Sequence, residues 1–131
     1  MITNEQIETH LMSMGVSFET IKEGFWIVQE DEFEGAKIVI AHSDPILTFR
    51  VKLADVPATN REALFAELLK LNASEMVSGA YALESDGDRL SVVVVETLQS
   101  ENLDANEIEA ALETLTYAIT EHYPRLSALM S

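Results

Sequence analysis

The 131-residue chain predicts a single-domain α+β fold over residues 1–131, an antiparallel sheet with three helices in the order α-β-β-β(-β)-α-β-β-α. Three observations predict it. Helix-start signatures stand at Thr3, Thr59 and Asp104. Between them the apolar period falls from about 3.6 residues to 2. No parallel strand-helix-strand repeat interrupts that order.

Thr3 followed by Gln6 makes a capping box, and Ile2 and Ile7 are spaced to close over it as a hydrophobic staple. A helix follows over Asn4 to Met14. Ile7, Leu11 and Met14 share one face, and Gly15 supplies the left-handed conformation that ends it. Val16 to Ile21 and Phe25 to Gln29 alternate around Lys22-Glu23-Gly24, a hairpin whose arms are short enough to count as one strand or two. The acidic run from Glu30 to Gly35 is a solvated turn. Lys37 to His42 is the next strand, and Ser43-Asp44-Pro45 turns the chain into Ile46 to Leu53. There Leu47, Phe49, Val51 and Leu53 face one way and Thr48, Arg50 and Lys52 the other.

Thr59 with Glu62 predicts the second helix, whose Leu64, Phe65, Leu68, Leu69 and Leu71 form a broad apolar face ending near Asn72. Met76 to Glu84 and Arg89 to Leu98 flank Asp86-Gly87-Asp88, a further hairpin. Asp104 with Glu107, stapled by Leu103 and Ile108, opens the third helix. Its stripe Ile108, Leu112, Leu115 and Ile119 runs on until Pro124 ends or kinks it.

One strand breaks the pattern. Val92 to Val95 are apolar in succession, whereas a sheet with one face in water alternates. Something must cover the second face, and the available covers are the third helix or a second copy of the chain. The second copy is preferred, because the face of the second helix also exceeds what one sheet surface can bury. Leu64, Leu68, Leu71, Tyr81, Val93 and Val95 are the expected dimer contacts.

Composition narrows the function. Without cysteine the chain has no disulfide, thiolate metal site or cysteine nucleophile, and a reducing cytoplasm is the expected location. The N-terminal residues lack a secretory pattern, and the longest apolar run is far below the roughly 20 residues that span a bilayer. With 23 acidic against 8 basic residues the net charge is −15, a field that repels phosphates and anionic lipid. Neither nucleic acid nor membrane is an expected partner.

The stretch LLKLNASEMVSGAYALESDGDRLSVVV reads as helix end, connecting asparagine, strand, Asp-Gly hairpin and strand, and LDANEIEAALETLTYAITEHYPRL as a closing helix. In order, spacing and acidity this resembles the type III secretion chaperone-like fold, the group of the Tir-chaperone and YbjN-like families. The resemblance implies a small acidic homodimer joined through the middle helix and the strand pair after it, here Glu62 to Leu71 and Met76 to Leu98. It also implies an extended client segment held in apolar grooves on the first helix and neighbouring strands, with no catalytic residue. YbjN-like members form a wider set, for which no secretion client is implied.

Chemistry-bearing motifs are missing. The five glycines stand singly, no nucleotide loop or nucleophile elbow occurs, and an EF-hand loop begun at Asp86 would meet Thr97 where it needs glutamate. His10, His42 and His122 lack metal-ligand spacing and read as ordinary surface or boundary residues. No enzyme, cofactor or metal is expected. Met12, Phe25, Trp26 and Phe33 are the expected partner-binding residues, since flexible methionine and aromatic side chains suit varied apolar contacts. Phe25 and Trp26 must point to opposite faces, and Trp26 is the first choice for a client groove. The function expected is a chaperone-like or adaptor homodimer holding an extended segment of another protein. The alternative is a regulatory or sensory domain acting through protein contact or a small ligand.

Overall fold

Thr3 and Asp104 both close their capping boxes in the computed structural model, which describes residues 2–130. Thr3 Oγ1 accepts from the Gln6 backbone N–H at 3.1 Å while Gln6 Oε1 accepts from the Thr3 N–H at 2.9 Å, so two otherwise orphaned donors are satisfied. These boxes open α1 (Asn4–Ser13) and α3 (Ala105–Tyr117).

The second helix, α2 (Arg61–Ser74), starts differently from its predicted cap. Asn60 sits in the left-handed conformation with φ 59°, which turns the chain between Thr59 and the first helical residue. Thr59 therefore caps nothing, and Arg61 Nε instead donates to the Pro57 carbonyl at 2.7 Å. The helix also runs past Asn72. That side chain accepts from the Tyr81 N–H at 2.7 Å and donates to the Tyr81 carbonyl at 3.2 Å, docking α2 on the following strand.

Six strands form one antiparallel sheet: β1 (Phe18–Lys22), β2 (Phe25–Val28), β3 (Ile38–Ser43), β4 (Ile46–Asp55), β5 (Ala80–Asp86) and β6 (Arg89–Gln99). Their spatial order is β1-β2-β3-β4-β6-β5. The first hairpin thus makes two strands. Only the last pair departs from chain order, because α2 carries the chain beyond β4 and β6 returns beside it.

Register divides the sheet into two faces. Trp26, Ile40 and Phe49 lie in one cross-strand row, with Val28, Ile38, Val51, Val94 and Tyr81 in the next. These side chains form one buried cluster with Ile7 and Leu11 of α1, Leu64, Leu68 and Leu71 of α2, and Ile108, Leu112 and Leu115 of α3. The helices therefore cover a single face. Val93 and Val95 have the opposite parity and lie on the other.

Pro124 does not end the last helix. The backbone stays helical from α3 through a π turn (Ala118–His122) into α4 (Tyr123–Ser127). A proline lacks the N–H that an α-turn needs, and the wider turn just before it takes up the mismatch.

Candidate partner-binding surfaces

Trp26 is fully buried and belongs to the core, which overturns its assignment to a client groove. Its indole Nε1 donates to Glu8 Oε2 at 2.8 Å, and the same carboxylate oxygen accepts from Thr20 Oγ1 at 3.0 Å. Glu8 is a residue that sequence reading passed over, since nothing in its neighbourhood distinguishes it from other helix acids. Phe33 is also buried, at 4% exposure, because the 3-10 turn Asp31–Phe33 folds its ring inward. Met12, 63% exposed, and Phe25, half-buried, remain accessible. They lie on different surfaces, Met12 on α1 and Phe25 on the helix-free face of the sheet.

Around Phe25 the helix-free face carries an apolar row that the alternation of β2 and β3 already contained. Ile27 pairs with Val39, Val39 with Arg50, Arg50 with Val95, and Val95 with Ala80. Ile27, Val39 and Val95 are half-buried with no helix over them. Arg50 on β4 pairs with Glu84 on β5, so the ion pair passes over the intervening β6. The register sets Val93 beneath that bridge, between Lys52 and Ala82. Val93 is consequently buried without joining the main core.

The same geometry corrects most of the expected dimer contacts. Leu64, Leu68, Leu71 and Tyr81 are buried among the chain's own helices and strands, and Val93 is buried on the other face between its strand neighbours Lys52 and Ala82. Val95 alone stays partly open. The exposed apolar residues on α2 and β5 are Leu69 and Leu83, at 69% and 42%. Leu69 formed part of the predicted helix face, but periodicity could not say which edge of that wide face turns outward.

Tyr81 anchors a polar chain at the C-terminal end. Its hydroxyl lies 2.7 Å from buried His122 Nδ1, and His122 Nε2 lies 3.3 Å from Glu75 Oε1. Arg125 bridges Glu75 and Glu67. Burial pushes the Tyr81 hydroxyl well above its ordinary value, helped by the Glu75 charge, so it stays protonated and cannot act as a base. The Arg125 hydrogen bond holds Glu75 below the usual carboxylate value. His122 is thus an interior residue rather than a surface one. His42 is tied down as well, its Nδ1 lying 2.6 Å from Asn4 Oδ1 at the start of α1. Among the described residues no three His, Asp or Glu side chains are grouped to hold a metal, and no helix is long and apolar enough to cross a membrane.

Three concave surfaces follow the helical layer. One of about 520 Å³ lies between the turn at residues 32–36, Lys52 and Leu53 of β4, and the π turn with Tyr123 and Pro124. A second, about 620 Å³, separates the end of α1 from α3, and a third, about 470 Å³, runs from α3 to Met76 and Val77.

Comparison with known proteins follows from this architecture. The family model CesT_Tir_1 matches residues 2–131. Among solved structures, YbjN from E. coli, described as a candidate transcription regulator, superposes with TM-score 0.73 at 18% identity, covering 95% of this chain and 93% of that one. A chain of the heterodimeric ExoU-SpcU complex from the type III secretion system of Pseudomonas aeruginosa gives TM-score 0.68 at 22% identity, covering 95% and 98%. A chain of the HopA1-SchA chaperone-effector complex gives 0.60 at 11%, covering 85% and 84%. At these identities the likeness is one of fold. No significant relative was found among curated proteins.

Proposed function

The chain belongs to the CesT_Tir_1 family, a type III chaperone family, and from that membership we propose that it is a non-enzymatic, cytoplasmic homodimer that holds an extended segment of another protein. A protein-binding, chaperone-like role is what the family and the chaperone-effector complexes among its structural neighbours support. The observation that carries the finer reading is the uncovered apolar sheet face around Phe25, Ile27, Val39 and Val95. A monomer gains nothing from leaving such a face in water, whereas a partner chain laid on it removes apolar area worth about 25 cal/mol per Å². In this reading the client wraps the β1 edge of the sheet, from Met12 of α1 on the helical side to Phe25 of β2 on the other, and the second copy meets Leu69 of α2 and Leu83 of β5. The expected single domain, residues 1–131, is the unit that pairs.

Co-purification of the tagged chain with its native partner, followed by hydrogen exchange on the complex, tests this. New protection in α1, β1 and β2 against an otherwise unfolded partner segment is the expected result. A partner that is already a folded domain, or a lone monomer with no stoichiometric partner, would sink it.

A second reading, a regulatory or sensory domain acting through protein contact or a small ligand, is favoured by the 520 Å³ cavity, whose lining includes Glu32, Thr120 and Tyr123, and by the likeness to YbjN. A folded regulatory target in the same co-purification, with protection around residues 32–36 and the π turn, would support it instead.

A further inference from the structure

The groove between the end of α1 and α3 combines apolar side chains with a rim of carboxylates. Met14 and Tyr117 give it apolar walls, while Glu32, Glu109, Glu113 and Glu121 stand around it. No Lys, Arg or His lines it. All four carboxylates are exposed, and none takes part in a hydrogen bond or ion pair among the described residues. Glu109 and Glu113 are one helical turn apart, a spacing at which like charges repel along the helix. Tyr117 is 52% exposed, and Tyr117 with Glu113 also borders the neighbouring 470 Å³ groove that ends at the fully exposed Val77. The two grooves therefore meet at Glu113 and Tyr117 and form one track over α3, in which apolar and small hydroxyl side chains are bordered by carboxylates.

Charge complementarity decides what fits there. Nucleic acid and anionic lipid are repelled. A second copy brings 23 acidic residues against 8 basic, and Arg50, Lys52 and Arg125 are already ion-paired. A bare metal ion finds no group of three ligands among the described residues. We propose that this track docks a basic, amphipathic segment of a partner protein, with Lys or Arg side chains against Glu32, Glu109, Glu113 and Glu121 and apolar side chains over Met14 and Tyr117. The proposal rests on the protein-binding reading and goes beyond it, giving the partner a second contact, a basic segment on α3 in addition to the segment held at α1 and β2.

The test uses the full chain and three labelled synthetic peptides of equal length and amphipathic order, built from Leu with Lys, Leu with Gln, and Leu with Glu. Fluorescence anisotropy should find the Lys peptide bound roughly 10-fold tighter than the Gln peptide, since several exposed charge pairs act together, and the Glu peptide weakest. The triple variant Glu109→Gln, Glu113→Gln, Glu121→Gln should lose about that 10-fold advantage. A control with the same change in net charge, Glu19→Gln, Glu62→Gln, Glu101→Gln, should keep it. Both sets are exposed, so folding should survive; if the triple variant melts early, Glu113→Gln alone should still cost about 2-fold. Amide shifts on binding should cluster on α3 and Met14. Equal loss in both triple variants, or shifts confined to α1 and β1, would overturn the proposal. Equal binding of the Lys and Gln peptides would overturn it while leaving segment capture standing, whereas no binding of any peptide would remove both.

Discussion

Trp26 and Glu8 meet where the first helix lies on the sheet, the indole N–H donating to the carboxylate at 2.8 Å beneath a fully buried ring. The contact fixes α1 to β2 by one directional bond at the edge of the core. Trp26→Ala should therefore destabilise the fold by about 3–5 kcal/mol, the usual cost of emptying a large aromatic site. Trp26→Phe should cost less, through the lost hydrogen bond and part of the volume. Urea denaturation midpoints measure both, and an unchanged midpoint for the alanine variant would contradict the core position.

Arg50 and Glu84 bridge β4 and β5 over Val93, yet both side chains are roughly half exposed. An exposed ion pair contributes at most about 1 kcal/mol, so Arg50→Ala should shift stability little. Its larger effect should be on the surface, because the bridge shields Val93. Binding of an apolar dye should rise in Arg50→Ala and in Glu84→Ala alike; no rise in either would mean that other atoms cover Val93.

Local signals reported the fold well where the cause was local. The capping boxes at Thr3 and Asp104 and the Gly87 hairpin form from residues a few positions apart, so short-range pattern suffices. Thr59 failed because the left-handed Asn60 redirects the chain, a choice with no counterpart in the Thr-x-x-Glu spacing. The candidate surfaces were less legible for a related reason. Alternation told that Phe25 and Trp26 oppose each other but not which faces inward, since that depends on where α1 comes to rest. Likewise Val93 looked like a dimer contact because nothing local announces an ion pair between residues 34 positions apart.

Gly79 and Gly87 offer a contrast in what a methyl group meets. Both have positive φ, at 72° and 61°, but an added Cβ at Gly79 would lie 2.9 Å from the Val95 carbonyl oxygen, whereas at Gly87 it meets open space. Gly87→Ala should cost about 1 kcal/mol from backbone conformation alone. Gly79→Ala should cost distinctly more, because backbone of β6 must move as well. Thermal melts that rank the two the other way would contradict the fit of Gly79 against β6.

Glu75 gives the stability a definite acid limb. Hydrogen bonding and charge from Arg125, with His122 adding to both, hold its pKa below the ordinary 4.5. In acid the folded state then binds fewer protons than the unfolded one. Stability from this carboxylate is complete above the ordinary value and is lost as pH falls through the lower folded value. Glu75→Gln should thus be less stable than wild type at neutral pH, with the gap closing as pH falls below the ordinary 4.5 and through the lower folded value. A gap that stays constant across that range would mean that the carboxylate's charge is not what matters.

Ionic strength separates self-association from partner docking, because the two are predicted to respond with opposite sign. Two copies that each carry −15 repel one another, so salt, which screens charges beyond roughly 10 Å at 0.1 M, should strengthen a homodimer whose pairing edge is Leu69 and Leu83. A basic segment on the acidic track of α3 is drawn in by the same field, and salt should weaken it. Sedimentation of wild type should show the dimer fraction rising between about 0.05 and 0.5 M salt. Leu69→Glu with Leu83→Glu should remain folded, since both side chains are exposed, and stay monomeric throughout. If wild type is monomeric at every salt concentration, the pairing edge is wrong; if its dimer weakens with salt, charge pairs rather than these apolar residues hold the copies together.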